Sequence, residues 1–340
     1  MKKQNKILWL SALQGWSILL VVIGHIVLSN NIYNNTFILD RINQETYYIL
    51  KSFRMHLFVF ISGFLFYITH IRKEKLYKET LIAKFKRLGV PFLFFTGFAI
   101  LLKYAFNPMM KRQIDFSWRL ITDSLYLTGG GNPLLELWFV FTLFVLFLFY
   151  PLYKISLQNT KYIALFVIFA SLLNLFFPDG VAFLCLSQVA KYMIFFYAGI
   201  ITSKYEFYKI LDSWLIFAAS IVVFAFAWIV EAPKIITAFV GISSSFSTFL
   251  CIAHKFPNLF SSYRNYTYQI YLIGIFPQIA VRFLYVKIVD AIQYNAMLHG
   301  IIYIILYITS ILVALYIPVF IAKIVEKIPY KWIRMCFGLS

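Results

Sequence analysis

Charged residues are scarce in this sequence, and acidic ones are the scarcest. Asp and Glu together number 13 among 340 residues, and charged residues make up only 13% of the chain, against about 25% in soluble domains. Hydrophobic residues make up 62%. Apolar runs of about 17–25 residues, enough to cross a hydrocarbon core of about 30 Å as a helix, recur from end to end. This composition excludes a separate soluble domain and indicates an all-α, polytopic membrane helix bundle.

Cysteine is also scarce. The three cysteines, Cys185, Cys251 and Cys336, lie in or beside apolar segments. Their spacing is not typical of a metal site and suggests no pairing. We therefore expect free thiols and no bound metal.

Basic residues are the exception to this scarcity of charge. The 31 Lys and Arg residues give a formal net charge of +18, which in a soluble protein would suggest binding to nucleic acid. Here they lie mainly in short loops between apolar runs, and membrane topology explains that distribution better. We expect membrane lipids as partners and no nucleic acid.

The apolar runs predict ten membrane-spanning helices in a single domain over residues 1–340. The predicted spans are 7–29, 47–70, 88–106, 134–153, 161–178, 184–202, 212–230, 233–253, 265–286 and 299–323. An even number places both termini on one side, and the Lys and Arg residues in the loops make that side the cytoplasmic one. The longest outer loop is expected over 107–133.

Ionisable side chains recur in the outer half of the predicted membrane region. At about 1.5 Å per residue, His25 lies near the outer end of the first span. The second span starts outside and carries Arg54 and His56 at a similar depth, Glu136 opens the fourth span, and Lys191 lies in the outer half of the sixth. Ionisable groups inside a membrane are costly unless they pair or face water, so this cluster is a candidate functional site.

Structural roles remain open for these residues. A histidine near a helix end is often only interfacial, and Glu136 can serve solely as the ion-pair partner of Arg54. On the cytoplasmic side, Lys84 and Arg87 lie one helical turn apart next to the bilayer. They either grip anionic lipids or hold the phosphates of an anionic donor.

Five segments carry a further signal, namely ALQGWSILLVVIGH, SFRMHLFVFISGFLF, KFKRLGVPFLF, LLELWFVFTLFVLFLFYPL and YRNYTYQIYLIG. In this order they resemble motifs of the acyltransferase-3 family of integral-membrane O-acyltransferases, which modify cell-surface polysaccharides and related glycans. The resemblance implies about ten core helices, acyl-CoA as donor, and a carbohydrate acceptor reached from the far side of the membrane. It also implies a catalytic role for His25 and donor handling by Lys84 and Arg87, which match the family's Arg-x-x-Arg pair.

The chain departs from the family pattern at five positions. Gln14 stands where the first helix usually has Arg, Lys84 replaces one Arg of the pair, and His56 stands where the second helix usually has Pro. Glu136 and Gly274 stand where the fourth helix and the late motif usually have His. The ordered set of motifs, rather than any single one, carries the resemblance.

The expected function is transfer of an acetyl or other short acyl group from acyl-CoA to a hydroxyl of a cell-surface polysaccharide or lipid-linked glycan. The expected location is the cell membrane, as a multi-pass protein of a bacterial plasma membrane. No permanently bound cofactor is expected, and glycan-synthesis machinery is a candidate partner. The alternative is a polysaccharide or glycolipid exporter of the same superfamily, and a purely structural membrane protein is a third reading.

The hypothesis for the chemistry assigns one role to each outer residue. His25 takes a proton from the acceptor hydroxyl. Arg54 orients the imidazole or stabilises the developing oxyanion, and Glu136 holds one of the two. His56 and Lys191 are further pocket candidates.

Two questions of geometry stay open in the sequence. Ser62 and Gly63 indicate close packing of helices rather than a nucleophile, because no base is expected at their depth. Acyl-CoA is cytoplasmic, whereas His25 is predicted near the outer face. Either the acyl chain or the pantetheine arm reaches inward from Arg87, or the predicted depth of His25 is wrong.

Overall fold

The computed structural model describes residues 8–30, 37–107, 113, 115–126, 132–291 and 296–339, and most of them are helical. Within these residues there are fifteen α-helices and no strand, so the all-α prediction is confirmed. The helices are α1 (Leu8–Asn30), α2 (Phe37–Phe66), α3 (Tyr77–Lys84), α4 (Val90–Ala105), α5 (Trp118–Tyr126), α6 (Trp138–Leu148), α7 (Tyr150–Ser156), α8 (Thr160–Phe176), α9 (Leu186–Lys204), α10 (Trp214–Ile229), α11 (Lys234–Ala253), α12 (Thr267–Ile273), α13 (Ile275–Ala291), α14 (Ala296–Glu326) and α15 (Lys331–Cys336).

Six helical runs in the described part of the chain are long and apolar enough to cross a membrane. They are Leu8–Val27, Ile42–Ile71, Tyr77–Ala105, Phe183–Lys204, Lys234–Ala253 and Gly300–Glu326. A seventh exists if α6 and α7, which meet at a bend of 51°, count as one span. By this measure the prediction of ten spans is wrong, while the side on which the termini lie stays a prediction.

Three predicted spans are shorter in the structure, because two of the helices end early and the third is divided in two. α8 has 17 residues and α10 has 16, about 25 Å at 1.5 Å per residue, which falls short of a hydrocarbon core of about 30 Å. α8 stops at Phe177, whose backbone is extended ahead of Pro178. The predicted span 265–286 is divided at Gly274 into α12 and α13.

The stretch expected as the longest loop, 107–133, contains helix α5. Ser117 caps its start by accepting a hydrogen bond from the backbone N–H of Leu120 at 3.2 Å. Arg119 and Asp123 then pair across one turn at 3.7 Å. The cap and the ion pair both stabilise a helix in a stretch whose polar composition suggested a loop. Residues 108–112, 114 and 127–131 of this stretch lie outside the described part.

The helices form two compact units. Unit 1 comprises Met1–Ile61 and Tyr205–Ile324, and unit 2 comprises Ser62–Lys204 and Val325–Ser340. In unit 1, α1 packs on α11 and α12, and α10 packs on α11. In unit 2, α9 packs on α6 and α8. The prediction of one domain over 1–340 stays a prediction.

Unit 2 is built around aromatic rings at the end of α2. Phe66 is fully buried, and its ring contacts those of Phe147, Tyr150 and Phe196, with centroids 4.9–5.8 Å apart. Gly63, one turn earlier, touches the α9 backbone so closely that a Cβ added to it would overlap the carbonyl oxygen of Phe196. The expectation that Gly63 serves close packing of helices is therefore confirmed.

Gly63→Ala is expected to destabilise unit 2, because backbone rather than a movable side chain blocks the added methyl group. Overpacking of this kind costs about 1–3 kcal/mol, which should lower the melting temperature of the detergent-purified chain. Gly97→Ala is the matched control, since nothing lies within 4 Å of a Cβ at that position. Equal melting temperatures for the two variants would contradict the close approach of α2 and α9.

Candidate functional site

The structure brings His25 and Arg54 together in unit 1. Arg54 is only 8% exposed, and its guanidinium reaches α1 at Gly24, where an added Cβ would overlap Nη1. The positive charge of Arg54 acts on the imidazole of His25, which is half-buried. A cation and a titratable ring therefore share one place between apolar helices, as the depth argument from the sequence predicts; their catalytic roles stay predictions.

An aromatic ring takes part in holding the Arg54 charge. The guanidinium carbon lies 6.0 Å from the ring centroid of Tyr47, and Nζ of Lys51 lies 5.4 Å from the same centroid. Cations at the face of an aromatic ring are attracted by its quadrupole, more strongly when they are shielded from water. Tyr47 thus compensates part of the cost of burying Arg54.

His56 is buried on α2 but belongs to a different surface of the helix. It follows Arg54 by two residues, and side chains two apart on a helix do not face each other. The expectation that both line one pocket therefore gains no support from the helix geometry, and the role of His56 stays a prediction.

A small polar cleft lies beside Ile26, the residue after His25. Its volume is about 20 Å³, enough for one water molecule, and its lining includes Gln278, Tyr303 and Ser310. Gln278 donates from Nε2 to the carbonyl of Val22 at 3.3 Å. Polar side chains are therefore gathered against α1 at Val22 and Ile26, in helices that are otherwise apolar, which is typical of a functional region in a membrane protein.

Glu136 and Lys191 belong to unit 2, and each has a charged neighbour there. Glu136 is half-buried on the turn that starts α6, where the charge of Lys103 acts on it. Lys191 pairs with Asp179 at 3.9 Å, with 39% and 95% of the two side chains exposed. Such exposed pairs contribute little to stability, and the role of Lys191 as a pocket residue stays a prediction. The role of Glu136 beside His25 or Arg54 stays a prediction.

Lys84 and Arg87, also in unit 2, have contrasting surroundings. Nζ of Lys84 lies 4.0 Å from the ring centroid of Phe147 and 5.4 Å from that of Phe66, so aromatic rings hold the ammonium. Arg87 is exposed. A π-helical segment, Phe85–Gly89, carries Arg87 and leads into α4. At the Arg-x-x-Arg position, Lys84 is thus shielded by aromatic rings and Arg87 is open to solvent. This arrangement can bind an anion while Arg87 stays in contact with solvent.

Asn132 fixes the chain ahead of Glu136. It is 2% exposed; its amide nitrogen donates to Oγ1 of Thr96 at 3.2 Å and to the carbonyl of Ser124 at 2.9 Å. Its amide oxygen accepts from the backbone N–H of Leu134 at 2.8 Å. This network joins α4, α5 and the start of α6, and thereby positions Glu136.

The departure of Gly274 from the family pattern has a steric cause. A Cβ at this position would lie 2.6 Å from the carbonyl oxygen of Ile270 and 3.0 Å from that of Ala314 on α14. Both obstacles are backbone atoms, so the histidine that the late motif usually has here does not fit unless the backbone of α12 and of α14 shifts. The absence of that side chain is therefore part of how α12 and α14 pack in this chain.

Several residues of the site were not expected from the sequence. Gly24 carries a signal only in being a glycine directly before His25 in an apolar helix. Gln278 and Arg282 stand one turn apart on an apolar segment, and that spacing indicates a common polar face. Asn132 offers no such signal, since an asparagine next to glycine and proline reads as an ordinary turn.

Comparison with known proteins gives one match. A family model described as an acyltransferase domain matches residues 7–323. No curated protein and no solved structure matches the chain. The matched range covers the described helices from α1 to most of α14, including His25, Arg54, Lys84, Arg87 and Glu136.

Asn132→Ala is expected to lower the stability of the chain, because the exchange leaves the buried backbone groups of Leu134 and Ser124 without the amide. An unmade hydrogen bond of a buried group costs about 1–3 kcal/mol. The melting temperature in detergent measures this. Thr122→Ala is the control, since it removes one exposed bond of 3.0 Å to the carbonyl of Arg119. Asn132 would be dispensable if both variants melted like the wild type.

Proposed function

The chain belongs to the acyltransferase-3 family, whose model matches residues 7–323, and from this premise we propose a specific transfer reaction. The chain is a membrane acyltransferase; the proposed donor is acyl-CoA, most simply acetyl-CoA. The proposed acceptor is a hydroxyl of a cell-surface polysaccharide or lipid-linked glycan, at a bacterial plasma membrane. The observation that supports this proposal is the placement of His25 beside the buried guanidinium of Arg54.

The proposed reaction needs one base and one cationic group. The imidazole of His25 accepts the proton of the acceptor hydroxyl. At the same time the hydroxyl oxygen attacks the carbonyl carbon of the thioester. A C–O bond forms and the C–S bond of the donor breaks. His25 then returns the proton to the CoA thiolate, which leaves as the thiol. General-base catalysis of this kind contributes about 10²–10⁴-fold to the rate.

Arg54 supplies the cationic group in this proposal. A tetrahedral intermediate carries a negative oxygen, and a guanidinium fixed beforehand stabilises it without reorganisation. An arginine keeps its charge even when buried, which suits it to this role between apolar helices. Gly24 is the residue that lets the guanidinium lie on α1 next to His25.

Donor binding is assigned to Lys84 and Arg87. The phosphates of acyl-CoA are the anionic part of that donor, and a sheltered ammonium beside an exposed guanidinium provides hydrogen-bond donors for them. Neither Lys84 nor Arg87 has an ion-pair partner among the described residues, so an anion is not competing with a neighbouring carboxylate.

His25→Ala is expected to abolish ester formation on the glycan, because no other group replaces the base. The O-acyl content of surface glycan, measured by NMR, is compared among cells with the wild-type gene, a deletion, and the variant expressed at matched level. His254→Ala is the control, since His254 is exposed at the end of α11. One ester signal should disappear in the deletion and in His25→Ala only.

Two other results of this experiment would contradict the proposal. Unchanged esters in well-expressed His25→Ala would remove the base role. Unchanged esters with glycan trapped inside the deletion strain would indicate an exporter instead of a transferase.

Gly24→Ala is expected to reduce transfer without unfolding the protein. The added methyl group displaces the end of a flexible side chain, the Arg54 guanidinium, rather than backbone. A misplacement of about 1 Å in a catalytic group can cost on the order of 10²-fold, so initial rates of glycan acylation in membranes should fall by at least about tenfold. Gly300→Ala is the matched control, with nothing within 4 Å of its Cβ. Wild-type rates in Gly24→Ala would show that the position of Arg54 is not needed.

A further inference from the structure

A cluster of positive charge surrounds His70 at the end of the second candidate span, all of it in unit 2. The charged groups that act on the His70 imidazole are those of Lys73, Lys75, Lys84 and Arg87, and all four are cations. Four like charges gathered in one place repel each other, which is unfavourable without an anion. This basic cluster, defined as His70 with those four residues, is therefore suited to an anion that neutralises it.

The orientation of the His70 ring is determined by its neighbours. Oγ1 of Thr69 donates to the carbonyl of Leu65 at 2.7 Å, so its remaining capacity is to accept a hydrogen bond. Nδ1 of His70 lies 2.7 Å from that oxygen and is thereby assigned as the N–H donor. This leaves Nε2 as the ring nitrogen directed to a ligand.

Phe66 connects His70 to the predicted donor-binding lysine. The His70 ring stacks on that of Phe66 with centroids 5.1 Å apart and an interplanar angle of 29°. Nζ of Lys84 lies 5.4 Å from the centroid of the same Phe66 ring. His70 is 8% exposed, which is as buried as residues of the hydrophobic core. The ring and the ammonium thus contact the same aromatic side chain, and the Lys84 charge acts on the His70 imidazole.

The backbone of Lys75 is tied to the same aromatic group. The ring of Tyr150 packs against Phe66 at 5.4 Å, and its hydroxyl donates to the carbonyl of Lys75 at 2.9 Å. The turn that follows the second span is thus fastened beside His70 and Lys84 rather than left to vary. A cluster held in this way does not need to be assembled when a ligand arrives, which lowers the cost of binding.

Two π-helical segments carry members of the basic cluster. Tyr67–Ile71 contains His70, and Phe85–Gly89 contains Arg87 and directly follows Lys84. Such segments are rare in proteins and occur frequently at functional sites, where they turn a side chain away from its regular helical direction. Two such segments within one cluster favour a binding role over a merely packed histidine.

We propose that His70 is a donor-binding residue whose Nε2 forms a hydrogen bond with a phosphate oxygen of acyl-CoA, beside Lys84 and Arg87. This inference rests on the proposed function, in which acyl-CoA is the donor. The shared chemistry is that of a phosphate, which a lipid headgroup also carries, so the test must separate the two sources. Because Nδ1 already donates to Thr69, Nε2 donates to the phosphate oxygen as an imidazolium N–H, and the negative charge of the phosphate stabilises that form against the four neighbouring cations.

The test uses CoA itself as the probe and the full chain in detergent, so that no acceptor is needed. His70→Asn keeps an amide near the position of Nδ1 and loses the group at Nε2, whereas His70→Gln places an amide nitrogen near Nε2. The affinity for CoA, measured by calorimetry, should fall about tenfold in His70→Asn, the value of one hydrogen bond to a charged group. His70→Gln should stay within about threefold of the wild type, and His254→Asn is the matched control.

The wild-type chain gives a second measurement that does not depend on how variants fold. Diethyl pyrocarbonate modifies accessible imidazole nitrogens, and mass spectrometry reports the modified fraction of each histidine. CoA should protect His70 and leave the exposed His254 modified. Protection by phosphatidylglycerol vesicles but not by CoA would identify a lipid headgroup as the ligand and overturn the proposal.

The remaining outcomes separate this inference from the proposed function. Wild-type affinity for CoA in His70→Asn, or an equal loss in His70→Asn and His70→Gln, would overturn the role of Nε2 alone. A wild-type chain that binds no CoA would instead overturn acyl-CoA as the donor, and with it both proposals. Full affinity in His70→Gln together with protection of His70 by CoA would support the inference.

Discussion

A guanidinium buried among apolar helices is the constraint on which the candidate site depends. An arginine cannot shed its charge to avoid the cost of burial, so the surrounding chain has to accommodate it. Arg54 is accommodated by a missing side chain at Gly24 and by the aromatic ring of Tyr47. Gly24 and Tyr47 together allow the Arg54 guanidinium to lie on α1 beside His25. The position of the Arg54 guanidinium therefore sets the charge that the imidazole meets.

Aromatic rings solve a related problem in unit 2. Lys84 is sheltered without an ion-pair partner among the described residues, and the rings of Phe66 and Phe147 face its ammonium. A carboxylate in their place would neutralise the lysine and compete with an anionic ligand, whereas a ring attracts the cation and leaves its N–H groups usable. Part of the high aromatic content, 20% of the chain, thus supports charge in the interior rather than contact with lipid.

The meeting of His25 with Arg54 and the order of the motifs along the chain are what the sequence predicts well. Counting residues along apolar runs is sufficient to put His25 and Arg54 in one layer, and the ordered motifs are sufficient to indicate the family. The number of spans is predicted less well, because apolar length does not show that α8 stops before Pro178 or that Gly274 separates α12 from α13. The contact of Arg54 with Gly24 depends on how each helix is rotated about its axis, which no local pattern specifies.

The departures from the family pattern leave the proposed acid–base chemistry to one histidine, His25. Glu136 and Gly274 stand where the family usually has histidines, and Gly274 leaves no room for one. Among the histidines whose side chains the structure describes, His56 lies on another face of α2 from Arg54, His70 belongs to the basic cluster, and His254 is exposed. His25 is the histidine on which the Arg54 charge acts. In the proposed reaction the imidazole of His25 carries the proton from acceptor to thiolate, so that reaction depends on the placement of this ring.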